Sequence, residues 1–173
     1  LETANPLPGE AHAGGKLAVS ATEPGRVVYF PGNSQSPFFT TDGGSTWKTA
    51  KVAGTGEPMP YVYSKNSGYN FALATGSDRV DGKAFYAYVY RKGERGGVFW
   101  VSRDGGETWG ASKAELPSAN PHDSISPVQL SATPGRAGDL WLALGSGGLW
   151  HSTDFGATFT KSPEFPGSRP LLV

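Results

Sequence analysis

The sequence lacks cysteine, an excess of either charge and any long hydrophobic run, and each absence excludes a class of protein. With no cysteine among its 173 residues, the chain forms no disulfide and binds no metal through thiolates. Its 15 basic residues balance its 15 acidic ones, which argues against a basic surface for nucleic acid or lipid. No apolar run approaches the roughly 18 residues of a membrane-spanning helix. We therefore expect neither nucleic acid nor a membrane among the partners.

Signatures of cofactor and nucleophile chemistry are also absent from the sequence. There is no G-x-S-x-G elbow, no phosphate-binding loop and no dinucleotide fingerprint. The three histidines lack the spacing of metal ligands, and no Asp-rich calcium loop is found. We predict no cofactor and no metal. Residues 1–6 lack the features of a signal peptide and the chain does not begin with Met, so we expect a mature form or an excised piece.

The abundant residues are those of short strands and tight turns. The chain has 25 glycines, 14 prolines and 12% aromatic residues. Aromatic side chains favour strands, and Gly and Pro mark the turns between them. The composition therefore predicts an all-β fold, and the length allows one domain with a sizeable core.

One eight-residue pattern, [S/T]-x-D-x-G-x-T-[W/F], occurs three times, at residues 40–47, 102–109 and 152–159. The aspartates are 62 and 50 positions apart, a period typical of stacked supersecondary units. In each copy we expect the carboxylate to accept backbone N–H groups of a hairpin, the glycine to adopt positive φ, and the aromatic residue to enter the core. Because a residue repeated in every unit does the same task in each, we interpret these nine residues as structural rather than catalytic: Asp42, Gly44, Trp47, Asp104, Gly106, Trp109, Asp154, Gly156 and Phe159.

Two strands precede each pattern in a unit, an innermost strand comes before those, and a fourth strand follows. Four antiparallel strands in each of three units predict β-propeller blades, approximately at residues 14–53, 70–116 and 127–163, with 164–173 beginning a further blade. Propellers usually carry about four to eight blades, so three blades leave sheet faces uncovered. We expect either the remaining blades of a larger propeller or self-association to cover these faces.

The repeated pattern is the Asp-box of β-propellers, and the segments around it resemble glycoside hydrolase family 74. Residues 77–88, SDRVDGKAFYAY, resemble the SDRVNPxKFYAY stretch of that family. Residues 132–143 and 147–161 resemble its PGxxGDxWLA and GGLYHSTDxGxTFTK segments. Residues 14–20 are similar to the strand that opens an earlier blade of its second propeller. The segments occur in the order that the family has.

This resemblance implies a function for the parent protein. Family members consist of two seven-bladed propellers with a substrate cleft between them, and they invert configuration with one aspartate from each propeller. The chain resembles only later blades of the second propeller, and both catalytic aspartates belong upstream of the match. We therefore expect a portion of a secreted xyloglucan-specific endo-β-1,4-glucanase, with plant cell-wall xyloglucan or β-glucan as partner. No residue of the chain is assigned as catalytic, and the isolated chain is expected to be inactive.

Substrate contacts are expected on the loops opposite the Asp-boxes, at residues 31–36, 54–70, 90–97 and 117–126. Three tyrosines there offer flat rings to sugar faces, and a His-Asp pair offers hydrogen bonds to a hydroxyl. The structural alternatives are that the tyrosines fix a long loop to the sheet edge and that the His-Asp pair is a solvated turn. The candidate binding residues are Tyr61, Tyr63, Tyr69, His122 and Asp123.

Asp-boxes alone also allow other functions. A non-catalytic propeller module of the sortilin or photosystem-assembly kind would bind a protein or peptide instead of a glucan. Resemblance to a sialidase would require an arginine triad, a tyrosine nucleophile and an F/Y-R-I-P segment near the start. That segment is absent here. A glucan hydrolase and a protein-binding module therefore remain the two alternatives, in that order.

Overall fold

A computed structural model describes residues 15–31, 36–60, 73–90, 97–117 and 128–163 of the chain. These residues form short strands and a single turn of 3-10 helix at Gly145–Gly147. No helix among them has the length and apolar character needed to cross a membrane. The strands in chain order are β1 Lys16–Val19, β2 Val27–Phe30, β3 Phe38–Thr40, β4 Lys48–Thr49, β5 Lys51–Val52, β6 Leu73–Ser77, β7 Phe85–Tyr90, β8 Gly97–Ser102, β9 Thr108–Ala111, β10 Gln129–Ala132, β11 Leu140–Ala143, β12 Leu149–Ser152 and β13 Thr160–Lys161.

The strands form three sheets, each built on a four-stranded antiparallel meander. The sheet orders are β1-β2-β3-β4, β6-β7-β8-β9 and β10-β11-β12-β13, which we call blades 1, 2 and 3. Innermost strands lie side by side, since β6 contacts both β1 and β10. Across the first of these contacts the Ser77 hydroxyl donates to the carbonyl of Val19 at 2.6 Å. Meanders that meet through their first strands are consecutive propeller blades, so the all-β propeller prediction is confirmed.

Strand β5 extends the second sheet rather than the first. Lys51 and Val52 pair in parallel with Thr108 and Trp109 of β9. The Lys51 amide donates to the carbonyl of Glu107 at 2.9 Å. The sequence places these residues inside the first unit, whereas their hydrogen bonds connect blade 1 to the outer edge of blade 2. This parallel pairing satisfies backbone groups that an edge strand would otherwise expose.

The innermost strands of blades 2 and 3 end later than the sequence indicates. The pattern predicts strands at residues 71–74 and 127–130, whereas the structure has Leu73–Ser77 and Gln129–Ala132. The extension in blade 2 includes Gly76, whose missing side chain leaves room for the Leu130 side chain of the next blade. Propensity disfavours glycine in a strand, and the close approach of two blades outweighs it here.

Strand β7 explains why its sequence, FYAYVY, is apolar throughout. Successive side chains point to opposite faces of a sheet, and both faces of blade 2 are covered. One face carries Phe85, Ala87 and Val89, which pack against blade 1 in a core with Val28, Phe30, Phe39 and Trp109. The opposite face carries Tyr86 and Tyr88, which pack against blade 3 in a core with Phe99, Leu140, Leu142 and Leu144. The described residues therefore form two cores, one at each junction between blades.

Candidate functional site

The three Asp-box hairpins share the same hydrogen bonds around their carboxylates. In blade 2, Oδ1 of Asp104 accepts the Ser102 hydroxyl at 2.8 Å and the Thr108 amide at 2.9 Å, and Oδ2 accepts the Thr108 hydroxyl at 2.6 Å. Asp42 and Asp154 accept the corresponding groups at distances within 0.1 Å of these. Each carboxylate thus accepts hydrogen bonds from residues of its own hairpin, and these bonds stabilise the turn.

The box glycines have positive φ, and Gly106 and Gly156 also lie close to the preceding blade. Gly44, Gly106 and Gly156 have φ of 93°, 96° and 79°. The amide of Gly106 donates to the Ser102 hydroxyl at 2.9 Å, and a Cβ there would collide with the side chain of Val28 in blade 1. Position 106 therefore requires glycine for two reasons: the positive φ of its backbone and the close contact between blades.

Hydrogen bonding keeps the box aspartates ionised. The hydroxyl and the amide of Thr46 lower the pKa of the exposed Asp42 carboxyl to about 2. For Asp104 and Asp154, burial opposes ionisation, but the hydroxyl and amide of the following threonine outweigh it and hold each pKa below its usual value. A general acid must carry its proton near the working pH, so these carboxyls are poorly suited to that role.

The aromatic residues that end the boxes lie in unequal surroundings. Trp109 is fully buried, meets Phe30 edge to face at 5.6 Å and donates Nε1–H to the carbonyl of Gly106 at 2.9 Å. Phe159 is half-buried and meets Phe99 of blade 2 edge to face at 4.9 Å. Trp47 is half-buried on the side of blade 1 that faces away from blade 2. The same position therefore contributes to a core at two junctions, whereas in blade 1 no sheet of the described residues packs against it.

Asp78 is a fully buried carboxylate that joins blade 2 to blade 3. Its Oδ1 accepts the amides of Val80 and Asp81 at 2.8 and 2.7 Å, and its Oδ2 accepts the Tyr86 hydroxyl at 2.8 Å and the Gly138 amide at 2.7 Å. Burial raises the pKa of Asp78, but the Gly138, Asp81 and Val80 amides outweigh it, so the pKa lies below its usual value. Burial, followed by the neighbouring Asp78, raises the pKa of Tyr86. Sequence reasoning did not find the partner in blade 3, because nothing local signals a contact 60 residues away.

Met59 and Leu116, which follow the fourth strands of blades 1 and 2, each contribute to one of the two cores. Met59 is fully buried in the core between blades 1 and 2, and Leu116 is buried in the core between blades 2 and 3. Met59 lies 12 residues past the end of its Asp-box and Leu116 lies 7, so aligning the units on their boxes does not reveal that the two residues have similar roles. The sequence predicts a loop over residues 54–70 and gives no sign that Met59 within it is buried.

The predicted binding residues Tyr61, Tyr63, Tyr69, His122 and Asp123 lie outside the described residues, so their roles remain predictions. Among the described residues, no group of three or more His, Asp or Glu side chains is placed to hold a metal ion. A groove of about 250 Å³ is open at the innermost strands, lined by Val19, Thr75, Ser77, Arg79, Ser131 and their neighbours. No carboxylate lines the groove, and it therefore supplies no acid–base pair.

These features define the class of protein: three consecutive Asp-box blades of a β-propeller, joined through buried aromatic cores. Comparison with known proteins specifies the relatives. The chain is 36% identical over 139 residues to a probable oligoxyloglucan-reducing end-specific xyloglucanase of Neosartorya fischeri, covering 79% of this chain and 14% of that protein. It is 38% identical over 137 residues to xyloglucanase Xgh74A of Acetivibrio thermocellus, covering 79% of this chain and 13% of that protein. The chain is thus a segment related to the xyloglucanases of glycoside hydrolase family 74, and it spans about one seventh of their length.

A solved structure supports the fold independently. The crystal structure of an ancestral family 74 enzyme matches 86% of this chain and 18% of its own, with a TM-score of 0.57 and 13% sequence identity. No protein-family model matches the chain. At this identity the structural match concerns the fold alone, and the sequence relatives carry the family assignment.

Proposed function

We propose that the chain forms part of a secreted glycoside hydrolase that cleaves the β-1,4-glucan backbone of xyloglucan with inversion. The single observation that carries the proposal is the 36–38% identity to two xyloglucanases over 79% of the chain. The three-bladed architecture supports the proposal, because a solved family 74 enzyme has a similar fold over 86% of this chain. A polysaccharide substrate and an extracellular location follow from the proposed activity.

Within that enzyme, the proposed role of the chain is scaffolding and substrate contact rather than acid–base chemistry. Inverting hydrolysis needs two carboxyls roughly 6.5–9.5 Å apart with room for a water between them. The three box carboxylates and Asp78 are each occupied by several donors within the fold. The described residues therefore serve best as rigid blades that hold a cleft formed together with other parts of the enzyme.

Substrate contact is proposed for the loops opposite the boxes. Tyr61, Tyr63 and Tyr69 would stack against glucosyl or xylosyl rings, and His122 and Asp123 would bind hydroxyls. Flat sugar faces present C–H groups, and these match the electron-rich face of an aromatic ring. The support is the sequence-based prediction that these residues belong to loops connecting blades away from the Asp-box hairpins.

The experiment that tests the proposal combines turnover and binding. The purified chain is incubated with tamarind xyloglucan, released reducing ends are measured, and binding of xyloglucan oligosaccharides is followed by calorimetry. We expect binding without turnover, and a loss of binding in a Tyr61→Ala, Tyr63→Ala, Tyr69→Ala variant. Tyr29→Ala is the matched control, because Tyr29 lies on a sheet face and not on these loops.

Either of two results would contradict the proposal. Turnover by the isolated chain would show that it contains a competent acid–base pair. Absence of any glucan binding, together with capture of a defined protein or peptide, would favour a non-catalytic Asp-box module instead.

A further inference from the structure

A groove runs across the innermost strands of all three blades. Strand β6 of blade 2 lies between β1 and β10, and the three strands together line the groove. Both sides of β6 contact strands that the structure describes, so the groove is not an uncovered sheet face. Its volume of about 250 Å³ corresponds to roughly eight water molecules at about 30 Å³ each. The groove therefore has room for a small ligand or for one charged group of a larger ligand.

Arg79 brings an unpaired positive charge to this groove. The residue follows β6, is exposed and belongs to the lining. The acidic residues beside it in the sequence bind other groups: Asp78 accepts four hydrogen bonds from a tyrosine and three backbone amides, and Asp81 binds Arg103 and a backbone amide. Within the described part of the chain, the guanidinium of Arg79 therefore forms neither an ion pair nor a hydrogen bond.

Two hydroxyl groups of the groove are available as further donors. Thr75 of β6 and Ser131 of β10 line it, and neither hydroxyl forms a hydrogen bond within the described residues. The hydroxyl of Ser77 already donates to the carbonyl of Val19 at 2.6 Å, so it can only accept. No carboxylate lines the groove. Hydrogen-bond donors and one positive charge without an acidic side chain suit an anion and disfavour a cation.

Arg79 lies on the Asp-box side of the blades. The turn from β6 to β7, which contains Arg79, lies against the box of blade 2, since the Gly105 amide donates to the carbonyl of Lys83 at 2.9 Å. The loops predicted to contact substrate belong to the opposite side of the blades. Binding in the groove therefore does not require those loops.

We propose that this groove binds an oxyanion, with Arg79 as the charged ligand and the hydroxyls of Thr75 and Ser131 as further donors. The planar fork of a guanidinium matches two oxygens of a carboxylate, a phosphate or a sulfate. Hydrogen bonds from hydroxyls are stronger when the acceptor is charged. Because Arg79 is exposed and the groove is open, solvent and salt reduce the attraction. The binding is therefore weak and decreases as ionic strength rises.

NMR titrations of the 173-residue chain test the proposal. Inorganic phosphate and glucuronate are added separately at constant ionic strength, and glucose serves as the neutral reference. We expect saturable shifts of the amide signals of Thr75 and Ser131 and of the Arg79 Nε–H signal with at least one anion, and no shifts with glucose. A response to phosphate alone identifies a phosphate-type oxyanion as the ligand, and a response to glucuronate alone identifies the carboxylate of an acidic sugar.

Variants separate binding at the groove from general attraction of anions. Arg79→Gln should weaken binding by about three- to tenfold, since it removes a charge-assisted contact at an exposed site. Thr75→Val and Ser131→Ala should each weaken it less. Lys83→Gln removes another exposed positive charge from the same turn but outside the groove lining, and it should keep the affinity of the unchanged chain. Unchanged amide signals outside the groove verify that each variant is folded.

Three results would overturn the proposal. The first is the absence of shifts in the groove with both anions. The second is unchanged affinity in Arg79→Gln, and the third is an equal loss of affinity in Lys83→Gln. None of these measurements involves a glucan, so the outcome is independent of the proposed function.

Discussion

The two junctions between blades occupy the same repeat positions, but different interactions hold them together. The first is mainly apolar: Trp109 fills it, Met59 closes it, and β5 crosses to the edge of the next blade. Its side-chain polar links are neutral, because the Ser20 hydroxyl donates to the carbonyl of Gly82 at 2.9 Å and the Ser77 hydroxyl donates to the carbonyl of Val19 at 2.6 Å. At the second junction the corresponding link is the charged, buried Asp78.

A second difference lies on the Asp-box side. At the second junction the guanidinium of Arg103 lies 3.6 Å above the ring of Phe155, and Arg103 also reaches Asp81 at 3.3 Å. Phe155 has a φ of 60°, where the other boxes have Gly43 and Gly105. The repeat thus fixes the geometry of a junction, while the chemistry that stabilises it differs between junctions.

The largest expected effect comes from the core of the first junction. Trp109→Ala removes a fully buried ring and leaves a cavity, so we expect a loss of about 3–5 kcal/mol in the free energy of unfolding. Phe159→Ala and Trp47→Ala remove the aligned, half-buried rings and should cost clearly less. Urea unfolding of the three variants measures the order of these losses in the free energy of unfolding. Equal losses at all three positions would show that burial at the junction does not set the cost.

The charged link of the second junction should give the next largest effect. Asp78→Asn keeps the shape but replaces one acceptor oxygen with an amide group. That oxygen is either the one that accepts the Tyr86 hydroxyl and the Gly138 amide or the one that accepts the Val80 and Asp81 amides. We expect a loss of about 2–3 kcal/mol, since hydrogen bonds to a charged group are the stronger ones. Ser20→Ala at the first junction should cost about 0.5–1.5 kcal/mol. A Ser20 variant as unstable as the Asp78 variant would contradict the contrast between a neutral and a charged link.

The ring contact between Arg103 and Phe155 should contribute less than either link. Arg103→Ala removes the stacked guanidinium at a partly exposed site, so we expect a loss of about 0.5–1 kcal/mol. Glu107→Ala, an exposed change in the same hairpin, serves as the control. Thermal unfolding of both variants provides the measurement, and an unchanged melting temperature for Arg103→Ala would assign no stabilising role to the contact.

The smallest effect is a difference in acid sensitivity between the junctions. The folded pKa of Asp78 lies below the ordinary value of 3.8, so its stabilising contribution is present above about that pH and is lost as the pH falls further. The neutral link of Ser20 has no such dependence. Hydrogen exchange of the Gly138 amide should accelerate below pH 4 beyond any change at the first junction. The prediction is wrong if Asp78→Asn shows the same acceleration.

Local signals in the sequence were sufficient for the fold but not for the site. Three Asp-boxes, each with its aspartate, glycine and aromatic residue, predicted four-stranded blades because a turn depends on neighbours within eight residues. The proposed substrate contacts at Tyr61, Tyr63 and Tyr69 rest only on the prediction that these residues belong to loops, and they remain predictions. Loop side chains are oriented by distant contacts that a single sequence does not reveal.

By itself, the sequence determined the all-β architecture, the three repeats and the relation to xyloglucanases, because patterning and turn chemistry are local properties. Only the tertiary structure decided that Lys51–Val52 pairs with blade 2 and that Asp78 binds the Gly138 amide. It also decided that Trp109 is fully buried while the equivalent Trp47 is only half-buried. Contacts between blades depend on how whole sheets stack, and residues 60 positions apart meet only once each blade has formed.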